Sequence, residues 1–137
     1  MTLSTAEKRA TFRKLHESGC FVIPNPWDAG SARALQGMGF KALASTSAGF
    51  AWSIGKSDNH ITLDDICTHL TALCGATDLP VNADFEGGFA VEPEGVGANV
   101  SRPKCSAGIW RGIRDASEAF TPVRFGPGAN QTEALFS

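Results

Sequence analysis

The sequence predicts an α/β fold built on a parallel sheet, and three observations carry that expectation. Short apolar runs alternate with segments of helical period, the connections between them are only a few residues long, and polar residues gather just after each apolar run. In a parallel sheet or barrel, that is the end at which ligands bind. The chain has 137 residues, enough for one core but short of the roughly 250 of a complete (β/α)₈ barrel.

The elements follow in order. Residues 5–18 set Ala6, Phe12 and Leu15 on one helical stripe, opened by a Ser4/Thr5 cap and closed by Gly19. Cys20-Phe21-Val22-Ile23 reads as a buried strand stopped by Pro24-Asn25-Pro26. Asp28 caps a helix from Ala29 to about Met38, and Lys41-Ala42-Leu43-Ala44-Ser45 is the second strand. Residues 46–59 are small and polar and too many for a simple turn, so a functional loop is expected there. Thr62 caps the next helix, with Asp64 and Asp65 in its first turn and Ile66, Leu70, Leu73 and Cys74 on its buried stripe. Residues 79–85 form the third strand, and Pro93-Glu94 starts a helix that runs to Val100. Beyond Val100 the pattern is lost. The expected division is residues 1–100 as one α/β unit and 101–137 as a divergent, irregular tail, the product of a shifted reading frame or a truncated gene.

Composition narrows the function. Apolar residues make up 42% and charged residues 19%, with 15 glycines and 7 prolines, a globular and turn-rich balance. No apolar run reaches membrane-spanning length and the N-terminus carries charges where a signal peptide is apolar, so a soluble cytoplasmic protein is expected. A net charge of -2 supplies no basic surface for a phosphate backbone, and no nucleic-acid partner is expected. Between Gly55 and Val100, Lys56 alone faces eight acidic residues, either a solvated face or an attraction for a divalent cation. Cys20, Cys67, Cys74 and Cys105 show neither zinc spacing nor a disulfide framework; Cys67 and Cys74, seven apart, share a helix face as small core residues.

The segment richest in chemistry is Asn82-Ala83-Asp84-Phe85-Glu86-Gly87-Gly88. Strand alternation sends Asn82, Asp84 and Glu86 to one side, and such oxygen donors suit Mg²⁺ (or Mn²⁺), with Asp58 as a further carboxylate. The same residues also read as caps and turn formers before the next helix. Thr46-Ser47-Ala48-Gly49 offers amides and hydroxyls for a carboxylate, and Asn25-Pro26-Trp27-Asp28 adds an aromatic wall at the same end. No dinucleotide fingerprint, Walker A loop or nucleophile elbow is present.

Residues 23–32, 39–47 and 81–89 together resemble the isocitrate lyase/phosphoenolpyruvate mutase family in motif, order and spacing, over about residues 7–100. The resemblance implies about three N-terminal βα units of a (β/α)₈ TIM-type barrel, from a family whose full-length members are homo-oligomers. It also implies Mg²⁺-dependent lyase or phosphomutase chemistry on C–C or P–C bonds of small 2-oxo or 2-hydroxy acids, through an enolate-like intermediate. By position, Asp58 and Asp84 match the acidic catalytic and metal residues. Thr46, Ser47 and Ala48 match the loop that binds the substrate carboxylate, and Asn25 joins them as a substrate-binding residue. Asn82 stands where many members have the first Asp of Asp-Ala-Asp, and ligates through its carbonyl or holds a metal-bound water. Lys104-Cys105-Ser106-Ala107-Gly108 lacks the histidine of the lyase catalytic loop, so Cys105 is not assigned as catalytic. The rival reading is a catalytically inactive barrel remnant acting as an interaction module through its open sheet edge. A flavodoxin-like binding domain ranks last, for want of a phosphate loop.

Overall fold

The computed structural model of the protein describes residues 3–102. Seven elements follow one another: α1 (Thr5–Leu15), α2 (Ala29–Gly37), β1 (Leu43–Ala44), α3 (Ser47–Ser53), α4 (Leu63–Ala76), β2 (Val81–Asn82) and α5 (Pro93–Val100). β1 and β2 pair in parallel with Leu43 opposite Val81 and Ala44 opposite Asn82. The crossover between them runs through α4, the connection a parallel pair requires.

Helix starts obey local chemistry closely. Ser4, Asp28 and Thr62 each close a reciprocal capping box, with Glu7, Ser31 and Asp65 respectively. α5 has Pro at its first position, where the missing N–H has no intrahelical acceptor in any case. The C-terminal end of α4 is satisfied from a distance: Lys8 of α1, only 6% exposed, donates from Nζ to the Cys74 carbonyl at 3.1 Å and the Thr77 carbonyl at 2.5 Å. A cation against the last carbonyls of a helix also complements its dipole.

The sheet has one packed face. Leu43 and Val81 bury against Ala32 of α2 and Leu73 and Cys74 of α4, and Ala83 and Phe85 continue into a second cluster with Ala51, Ile61, Ile66, Cys67 and Leu70. Both α4 cysteines are core residues as expected. Burial pushes the free Cys74 thiol up to about 11, which keeps it unreactive, while Cys67 is disulfide-bonded. The opposite face carries the half-buried Ala44, Asn82 and Asp84.

Two expectations are corrected. Residues 20–23 are not a strand: the Ala44 N–H donates to the Pro24 carbonyl at 3.1 Å, but Val22 is 67% exposed and no regular ladder forms. Pro24 and Pro26 lack the N–H groups that would extend it. The described residues therefore show a two-stranded sheet rather than three complete βα units. The long loop expected over residues 46–59 contains α3. Its signal is Thr46, whose hydroxyl accepts the Gly49 N–H, obscured by a glycine that disfavours helix. Gly49 is there for space: a Cβ would stand 2.7 Å from the Trp27 ring and from Thr46 Cγ2. The helix α5 stops at Val100 as the sequence predicts, whereas the expected irregular tail, Cys105 included, lies outside the described residues from 103 onward. Among the described residues no helix is long and apolar enough to cross a membrane.

Candidate active site at the strand ends

Asp84 organises the ends of the two strands. Its backbone N–H donates to the Ser45 hydroxyl at 2.8 Å, while its carboxylate accepts the Ser47 N–H on Oδ2 at 2.8 Å and the Glu86 N–H on Oδ1 at 3.2 Å. One side chain thus ties the end of β2 to the first turn of α3 and to the turn that follows. Ser45, 3% exposed, is a site residue that pattern reading misses, because a serine ending a strand resembles any small polar loop former. The Ser45 N–H in turn donates to the Asn82 carbonyl at 2.8 Å, extending the parallel ladder by one bond.

Glu86 reaches this place by a turn rather than by strand alternation. The strand ends at Asn82, and Glu86 adopts a left-handed backbone with φ of 48°, a conformation that costs a non-glycine residue free energy. Partial burial, then the nearby carboxylates of Asp84 and Asp58, push its carboxyl above the usual glutamate range. Glu86 thus feels the charges of both Asp84 and Asp58. The three are not a direct ligand cage: among the described residues no group of three His, Cys, Asp or Glu side chains is close enough to hold a metal ion. The donor chemistry still fits Mg²⁺, which takes one or two carboxylates and retains several waters. The half-buried Asn82 adds a neutral oxygen donor to the same face.

The expected substrate residues gather at the same end with altered duties. The Ser47 N–H is committed to Asp84 and the Gly49 N–H to Thr46 Oγ1. The Ala48 N–H, in the first turn of α3, has no intrahelical acceptor, and the Thr46 hydroxyl proton remains available to donate. Asn25 donates from Nδ2 to the Ala44 carbonyl at 3.0 Å, which pins the proline-flanked segment to the end of β1.

Strand-end carboxylates beside an amide-bearing helix start, after a parallel βαβ crossover, occupy the position that barrel enzymes use for catalysis. The phosphoenolpyruvate phosphomutase family matches residues 12–112. The chain belongs to that family. The match continues past Val100, where the sequence pattern breaks. Rv1998c of Mycobacterium tuberculosis, an uncharacterized protein, is 35% identical over 108 residues, which are 78% of this chain and 41% of that protein. A crystal structure from Burkholderia cenocepacia J2315, provisionally designated a lyase/mutase, superposes with a TM-score of 0.73 at 46% identity, over 77% of this chain and 38% of that one. Oxaloacetate acetylhydrolase in complex with its product oxalate superposes with a TM-score of 0.64 at 27% identity, over 78% of this chain and 37% of the enzyme. The chain thus spans about two fifths of the length of these phosphomutase-family relatives.

Proposed function

We propose that the protein contributes the N-terminal strand-end site of a Mg²⁺-dependent lyase or phosphomutase acting on small 2-oxo or 2-hydroxy acids at a C–C or P–C bond. The observation that carries the reading is Asp84 at the strand end, tied to the first turn of α3 through the Ser47 N–H, beside a Glu86 carboxyl raised by partial burial and by the charges of Asp84 and Asp58. Lys56, the nearest basic residue in sequence, is paired instead with Asp65 at 2.6 Å. Asp84, Asp58 and Glu86, with Asn82, would hold the metal largely through water. When bound, Mg²⁺ supplies Lewis-acid stabilisation of the negative charge that develops on an enolate-like intermediate.

The chain's own residues do the rest. The Ala48 N–H and the Thr46 hydroxyl donate to the substrate carboxylate at the dipole-positive start of α3. Asp84, held by two N–H groups and by Ser45, keeps one orientation through the reaction instead of reorganising with it. Asn25, tied to the Ala44 carbonyl, stands at the same strand end. Kinship with lyases and mutases, and the oxalate held by the acetylhydrolase, support the substrate class.

Calorimetric titration of the protein with Mg²⁺ and with Mn²⁺, with oxalate as an enolate-like ligand, tests the reading. Saturable binding that Asp84→Ala abolishes is the expected result, accompanied by a fall in the Glu86 carboxyl pKa, read by NMR, when metal is added. A folded protein that binds neither metal nor oxalate would leave the rival reading, an inactive barrel remnant that acts as an interaction module.

A further inference from the structure

A groove lies on the helical side of the molecule, between the start of α2, α3 and α4, with a volume of about 440 Å³. That is within the range of small-molecule sites. Trp27, Phe50 and Ala72 line it, and Trp52, packed edge-on to Trp27 at 5.9 Å, extends the aromatic surface at its mouth. Both tryptophans are exposed, at 47% and 58%, a cost in apolar surface that packing alone does not explain.

The groove also contains an unsatisfied polar group. His69 is 6% exposed and stacks on Phe50 with ring centroids 3.9 Å apart and planes 13° apart, yet its buried Nε2 has no hydrogen-bond partner among the described residues. Leaving a buried ring nitrogen unpaired costs free energy that a suitably placed ligand group would recover. Burial holds the imidazole neutral down to about pH 4, so this nitrogen meets a ligand as an uncharged donor or acceptor. The lining charges are Asp28 and Asp65, and no basic side chain lines the groove among the described residues. Asp65 is neutralised by Lys56 at 2.6 Å, whereas Asp28 is engaged by the Ser31 N–H, so the Asp28 charge selects the sign of a guest while its oxygen stays committed to the fold.

We propose that this groove binds a small molecule with an apolar body and a single hydrogen-bonding group, neutral or cationic, that stacks on Trp27 and Phe50 and pairs with His69 Nε2. The charge preference is opposite to that of the strand-end site, whose expected guests are carboxylates. An amine guest gains further from the tryptophan faces.

The test uses four probes of one shape, benzyl alcohol, benzylamine, benzoate and toluene, titrated against the whole chain by ligand-detected NMR. Benzyl alcohol and benzylamine are expected to bind saturably, and benzoate at least about tenfold more weakly because of the Asp28 carboxylate at the rim. His69→Phe keeps a flat ring against Phe50 and removes the nitrogen, so benzyl alcohol should lose about fivefold or more in affinity while toluene is unchanged. Ala72→Phe, at an exposed position on α4, fills the groove and should abolish binding of all probes with the circular dichroism spectrum unaltered. Excess Mg²⁺ and oxalate should displace nothing. Equal binding of benzoate, undiminished binding to Ala72→Phe, displacement by oxalate, or no binding of any probe would each overturn the proposal.

Discussion

The two faces of the β1–β2 pair obey different physics. On the helix side Leu43, Val81 and Leu73 are almost wholly removed from water and interlock with Ala32 and Cys74 through apolar contact. On the strand-end side Asp84, Asn82 and Glu86 remain partly exposed, and position is set by a few directional bonds from Ser45, Ser47 and Glu86. The first face supplies cohesion. The second holds a glutamate in a left-handed backbone whose carboxyl is raised by burial and by neighbouring acidic charge, features that oppose folding and that the proposed site accounts for.

The comparison breaks most visibly on the apolar face. Leu73→Ala removes a fully buried side chain from between α2, α4 and the sheet and should destabilise the protein by about 2–5 kcal/mol in urea unfolding. Asp84→Asn should cost only about 1 kcal/mol, because an amide oxygen still accepts one of the two N–H groups, yet it should remove metal-dependent oxalate binding altogether. If Asp84→Asn unfolded the chain as readily as Leu73→Ala, the polar end would be part of the cohesive core and the division would fail.

That division also explains what the sequence makes legible. The helices α1, α2, α4 and α5 and their caps are written in local signals: Ser4 with Glu7, Asp28 with Ser31, Thr62 with Asp65, Pro93 at a first turn. The strands are readable as apolar runs, but the pairing is decided by neighbours. Residues 41–45 and 79–85 shrink to two-residue strands, and residues 20–23 fail to pair regularly because two prolines remove the donors. α3 was obscured because Gly49, a poor helix former, is required by the Trp27 ring rather than by the helix. At the site, Asp58, Asp84 and Glu86 were visible as residue types, and Thr46 as a hydroxyl beside them. The service of Ser45 and the Ser47 N–H to Asp84 was not visible, since it depends on tertiary distances between strand ends. His69 lines the groove with its buried Nε2 unpaired, a feature that no spacing in the sequence signals.

A pH dependence whose sign differs between the two regions sharpens the comparison further. On the helix side, burial lowers the His69 pKa from 6.5 to about 4, so between those values the unfolded chain holds a proton that the folded chain lacks. Stability is therefore complete above about pH 6.5 and is lost progressively as the pH falls toward 4. Asp65, lowered to about 2 first by its bond from Lys56 and then by those from Thr62, loses its own contribution further down, as the pH drops from 3.8 toward 2. At the strand ends Glu86 acts in the opposite sense. Its raised pKa means that the folded state takes up a proton before the unfolded state does, so acidification through the carboxylate range relieves the site and alkalinisation strains it. Thermal denaturation of the wild type, His69→Phe and Glu86→Gln from pH 4 to 8 separates the two. His69→Phe should flatten the loss below pH 6.5, whereas Glu86→Gln should steepen the overall acid loss by removing the term that opposes it. Mg²⁺ at neutral pH should stabilise the wild type more than Glu86→Gln, because the cation relieves the same repulsion that protonation does.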